Sequence, residues 1–219
     1  MQTRGLLSDE INKLRQEVAL MAARVEEDLG KAIAIQRSGG EELAKEVKES
    51  GKIVDALQLK IEDMVLVLIA TQQPVARDLR EMVTIFKITS SLERIGDYTI
   101  HLAKGAEKLT GKPQFYSAER IETMAEVGQQ MLKKTFAAYS SQDADAIRKA
   151  AAMDKQIDDE HKALTEEVLK LMKKNPELVK AASRLLRLSG YMERMGDHIT
   201  NICEGIIFMI NGRHEDLNT

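Results

Sequence analysis

The chain has 219 residues, 43% of them hydrophobic and 31% charged, and carries a formal charge of −3. This slightly acidic balance suits a soluble folded protein and argues against a general nucleic-acid binder, which would be basic. A single cysteine, Cys203, excludes an internal disulfide and any CxxC metal site, and no apolar run approaches the ~20 residues that cross a bilayer. Aromatic residues make up only 4% and there are 3 Pro, so few strand signals compete with helix formation and an all-α protein is expected. The start, Met1 to Asp9, lacks the apolar core of a signal peptide, so a cytoplasmic location is expected.

Ser8 can cap a first helix. Its apolar face is Leu14, Val18, Met21, Val25 and Leu29, at three- and four-residue steps, and Ser38-Gly39-Gly40 ends it. A second helix, from about Glu41 to Ala70, carries Ala44, Val47, Gly51, Val54, Gln58, Ile61, Val65 and Leu68 on one stripe. Gln73-Pro74 closes it and opens a third, with Leu79, Met82, Ile85 or Phe86, Leu92, Gly96, Ile100 and Ala103. The stop at Leu109-Thr110-Gly111-Lys112-Pro113 is the expected boundary between a domain of residues 1–112 and one of residues 113–219.

The second half repeats the plan. Ile121, Met124, Val127, Met131, Phe136 and Tyr139 mark a fourth helix, and Asp143 can cap a fifth. The fifth is expected to run unbroken through Ile147, Ala150, Asp154, Ile157, His161, Leu164, Val168 and Leu171. Lys174-Asn175-Pro176 turns the chain into a sixth helix, from about Glu177 to Ile210. Met21 matches Met124, Leu29 matches Leu132 and Asp55 matches Asp158, all at a shift of 103, which becomes 100 after the second turn. The expected architecture is two tandem three-helix bundles related by internal duplication.

The duplication is sharpest at Glu93-Arg94-Ile95-Gly96-Asp97 and Glu193-Arg194-Met195-Gly196-Asp197. Residues four apart on a helix share a face, so each copy sets a Glu beside an Asp. Like charges so placed repel, and a hard cation would reverse the sign of that term. A lone ExxxD is an ordinary solvated face, and the repetition gives it weight. The glycine between the acids costs helix stability and suggests the close approach of a helix or ligand. Counting outward from the turn before Pro176 brings Asp154 and Asp158 level with Glu193 and Asp197. In the first half, Gly51 stands where Asp154 would be, leaving Asp55, Glu93 and Asp97. The candidate metal ligands are therefore Asp55, Glu93, Asp97, Asp154, Asp158, Glu193 and Asp197, with the second-half site expected to bind more tightly. His161, His101 and His198 lie near these acids in sequence, and their plainer reading is as surface or boundary residues. Arg80, Lys87 and Arg94 recur at steps of seven, as do Lys180, Arg187 and Arg194. Each stripe is either a solvated face or a docking strip for an acidic partner or a phosphate.

At these residues the chain resembles the PhoU family of phosphate-transport regulators over essentially its whole length, both repeats included. The family pattern of paired (E/D)xxxD motifs is met at Asp154-xxx-Asp158, Glu193-xxx-Asp197 and Glu93-xxx-Asp97, and broken at Gly51-xxx-Asp55. The first helix departs furthest from that pattern. The resemblance implies a non-enzymatic adaptor that acts on the ABC phosphate transporter ATPase and the phosphate sensor histidine kinase. It implies iron, zinc, manganese or magnesium at the acidic motifs, self-association to a dimer, no nucleic-acid partner, and contact with the membrane only through partners. The alternatives are a multimetal carboxylate enzyme, hydrolytic or redox, and a metal-free helical scaffold. No nucleophile–base pair and no ExxH pair speak for the enzyme.

Overall fold

The computed structural model describes residues 2–109 and 118–218, with side chains described for 7–106 and 119–218. The expected domain boundary between residues 112 and 113 lies outside them. The first bundle consists of α1 (Gln2–Ser38), α2 (Glu41–Gln72) and α3 (Ala76–Leu109), each packed on the other two. The second consists of α4 (Ala118–Ser141), α5 (Ala144–Ala151), α6 (Asp154–Lys174) and α7 (Val179–Asn211). A short 3-10 turn, Pro176–Leu178, precedes α7. The bundles join along α3 and α7, and along α1 and α4.

The apolar stripes form the core. Leu14, Val18, Met21, Val25 and Leu29 are fully buried, as are Met124, Ile157, Leu164 and Val168 in the second bundle. Where the third helix offered Ile85 or Phe86, Ile85 is buried and Phe86 is exposed, and Leu79 is exposed as well. Gly39 and Gly40 take positive φ angles of 73° and 147°, which only glycine adopts without strain, and so allow the reversal between α1 and α2. Pro74 lies ahead of α3 rather than within its first turn, and the residues on either side of that corner, Gln73 and Ala76, are left-handed.

The fifth helix is not continuous. Asp143 caps α5, its Oδ1 accepting from the Asp145 and Ala146 backbone N–H groups at 3.0 Å each. The chain then tightens, with Met153 N–H bonded to Ala150 O and Gln156 N–H to Met153 O, both three residues back. This short i→i−3 stretch ends α5 and restarts the helix at Asp154. Asp154 therefore begins α6 instead of sitting in mid-helix.

Candidate functional site

Asp154 stands at the first turn of α6, and Asp158 follows one turn later. On α7, Glu193 and Asp197 face them across the hairpin. Asp154 is only 6% exposed. Its Oδ2 accepts a hydrogen bond of 3.0 Å from the Thr200 hydroxyl, while Oδ1 has no partner. Burial, opposed by the Thr200 bond, pushes its carboxyl up to about 7, with Asp158, Asp197 and Glu193 adding to the rise. Glu193 and Asp158 are also raised, first by burial and then by Asp197, and His161 pulls both back down. The four carboxylates thus share one field, as the count across the turn expected.

Gly196 has a specific task here. A Cβ at that position would lie 2.0 Å from Asp154 Oδ1 and 3.2 Å from Ile157 Cδ1. Without a side chain, the helix leaves room for a buried carboxyl. Its counterpart Gly96 has no such neighbour, since a Cβ there would meet Val54 at 3.4 Å. The first bundle instead has Gly51 in place of Asp154 and Ile100 in place of Thr200. A Cβ on Gly51 would come within 2.5 Å of Ile100 Cδ1, so the isoleucine fills the volume that the Asp154–Thr200 pair takes in the second bundle. The remaining acids, Asp55, Glu93 and Asp97, still converge. Glu93 is raised by burial, then by Asp97, with Asp55 contributing and Arg94 opposing. Arg94 lies 3.4 Å from Glu93 and 3.8 Å from Asp97.

The histidines divide. His161 shares a hydrogen bond of 2.6 Å with Ser189 and faces Asp158 and Glu193. His101 instead stacks on Tyr191 with ring centroids 4.7 Å apart, and His198 packs beside Tyr98. Three contributors escaped the sequence reading. Thr200 could have been found by setting Ile100 against it in register. Ser189, which bonds His161, carried no such signal. Asn218 donates to Asp197 Oδ1 at 3.1 Å from a tail without periodicity.

Asp158, Glu193 and Asp197 offer oxygen donors, which suit a hard cation, with the His161 ring beside two of them. Among the described residues, however, no group of three or more His, Cys, Asp or Glu forms a site ready to hold a metal ion. The unpartnered Asp154 Oδ1 faces Gly196 rather than the outer acids. The chemistry fits a cation, and closure around one would need Asp158, Glu193 and Asp197 to swing together.

The model of the PhoU domain matches this chain twice, over residues 18–106 and 121–206. This chain belongs to the PhoU family. The two PhoU-domain segments hold Asp55, Glu93 and Asp97, and Asp154, Asp158, Glu193 and Asp197, respectively. A phosphate-specific transport system accessory protein PhoU homolog from Clostridium acetobutylicum is 31% identical, with 99% of each chain covered. One from Caulobacter vibrioides is 35% identical over 93% of this chain and 89% of its own. The crystal structure of PhoU from Pseudomonas aeruginosa superposes with a TM-score of 0.89 at 26% identity, covering 94% of this chain and 99% of that one. The phosphate transport system regulatory protein PhoU from Streptococcus pneumoniae gives 0.87 at 28% identity, covering 96% and 99%. These PhoU folds match the all-α pair of bundles along nearly the full chain.

Proposed function

We propose that this chain is a cytoplasmic, non-enzymatic accessory and regulatory protein of a phosphate-specific transport system, acting on the transporter's ATPase and on a phosphate sensor histidine kinase. The twofold PhoU-domain match, together with relatives matched from end to end that are named for that system, carries the reading. No helix among the described residues is long and apolar enough to cross a membrane, which fits a protein that reaches the membrane through partners. Self-association is part of the reading. Leu59, Leu66 and Val67 on α2 are 64%, 57% and 59% exposed, an apolar strip suited to a second copy.

The two acidic patches are proposed as sites for iron, manganese, zinc or magnesium. Asp158, Glu193 and Asp197 would hold a cation in the second bundle, and Asp55, Glu93 and Asp97 one in the first. A bound cation supplies positive charge. The protein's own part is to hold like charges on two adjacent helices, with Asp154 buried behind them and its carboxyl raised to about 7. Partner affinity then follows the charge state of the patch. Binding of purified transporter ATPase is expected to weaken about tenfold when the protein is chelated and to recover on adding manganese. Equal affinity with and without chelator would remove the cation from the mechanism. No binding in either state would remove the ATPase as partner.

A further inference from the structure

Beyond the acidic patches, the seam of α3 and α7 carries two grooves at positions related by the duplication. In register, Thr84 corresponds to Arg184, Lys87 to Arg187, Ser91 to Tyr191, and Glu204 to Lys104. The first groove, of about 980 Å³, is lined by Thr84, Lys87, Ser91 and Glu204 and by residues of the segment that follows α7. The second, of about 300 Å³, is lined by Arg184, Arg187, Tyr191 and Lys104, with His101 and Gly105.

One wall of the first groove is formed by the chain's own non-helical segment His214-Glu215-Asp216-Leu217-Asn218. The Leu217 backbone N–H donates to Glu204 Oε1 at 2.9 Å, and His214 stacks on Phe208 with centroids 4.0 Å apart. Arg148 holds Glu215 through two hydrogen bonds of 2.9 and 3.0 Å. An acidic segment without helical structure can therefore lie along this seam.

The second groove has the same plan with its charge changed. Lys104 replaces Glu204 and Arg184 replaces Thr84, so three cations point to one small volume. None of the three makes an ion pair or hydrogen bond among the described residues. Beside the cations, His101 stacked on Tyr191 makes a flat apolar wall, and Tyr191 in turn stacks on Tyr98 at 5.7 Å. Cations with no ion pair among the described residues, set around an aromatic wall, suit carboxylates interleaved with apolar side chains.

We infer that this groove takes an extended acidic segment of a partner protein, laid along the seam as the chain's own tail lies along the matched one. The inference concerns a surface apart from the acidic patches and does not depend on cation binding. The test is fluorescence anisotropy on the full chain with a fluorescein-labelled heptapeptide of alternating Glu and Leu. Because the protein's own charge is −3, non-specific attraction of this probe is disfavoured. Saturable binding is expected, weakened about tenfold by Arg184→Ala/Arg187→Ala and at least as much by Lys104→Glu. Lys87→Ala, which removes a like charge from the matched groove, should leave the affinity unchanged. Lys87, Lys104 and Arg187 are exposed and Arg184 is half-buried, and circular dichroism checks that each variant folds. Absence of binding, or equal loss in the Lys87→Ala variant, would overturn the inference. Complete displacement of the peptide by millimolar inorganic phosphate would also overturn it, and would make the groove a small-anion site.

Discussion

Gly196→Ala is expected to destabilise the protein by about 2–3 kcal/mol, whereas Gly96→Ala leaves it unchanged or gains up to about 1 kcal/mol. The two substitutions are chemically identical and occupy matched positions of a duplicated motif, so helix propensity favours alanine equally in both. The environments differ. At position 196 the new methyl would fall 2.0 Å from Asp154 Oδ1 and 3.1 Å from its Cγ, inside any tolerable contact. Asp154 must then move, losing the bond from Thr200 and forcing a carboxyl through a packed seam. At position 96 the methyl would meet Val54 at 3.4 Å and Val25 at 3.9 Å, which small side-chain adjustments absorb. Urea unfolding of both variants measures the difference. Repeating Gly196→Ala in an Asp154→Gly background closes a double-mutant cycle, and the penalty should largely vanish there. Equal effects at positions 96 and 196 would refute the role given to Gly196.

That contrast shows where the sequence could be read and where it could not. Long stripes such as Leu14, Val18, Met21, Val25 and Leu29 announce a helix because every third or fourth residue must reach one core. The duplication extended that reading to the second bundle. The break at Ala152–Met153 was not legible, because Ala150, Ala151, Ala152 and Met153 are all strong helix formers. No local preference asks for the interruption, so it arises from how the chain packs around it. Asp154 was recognisable as an acid on an apolar stripe, but its withdrawal from the outer acids depends on Thr200 and Gly196, which are distant in sequence. The tail was silent for the same reason: Asn218 and Leu217 act through single long-range bonds, which leave no period to detect.

The asymmetry between the bundles also predicts a pH response. Asp154, whose ordinary pKa is 3.8, is raised to about 7 in the folded protein. Between those values the unfolded chain has already lost this proton while the folded protein still holds it. Stability therefore falls as pH rises from about 4 to about 7 and levels off above, by on the order of 4 kcal/mol if nothing relaxes. Glu193, Asp158 and Glu93 are shifted in the same direction and steepen the decline. Asp154→Asn keeps the shape and an oxygen able to accept from Thr200 but cannot ionise. In chelator, the variant is expected to match the parent near about pH 4 and to exceed it by on the order of 2–4 kcal/mol near about pH 8. The first bundle has Gly51 and Ile100 at the matched positions and so no counterpart of Asp154, while its raised Glu93 is kept in Gly51→Ala, so that variant should shift stability equally at both pH values. A pH-independent difference between Asp154→Asn and the parent would mean that Asp154 is ionised throughout. With any bound cation removed by the chelator, that outcome would refute the buried, protonated Asp154 and leave its carboxylate solvated by water.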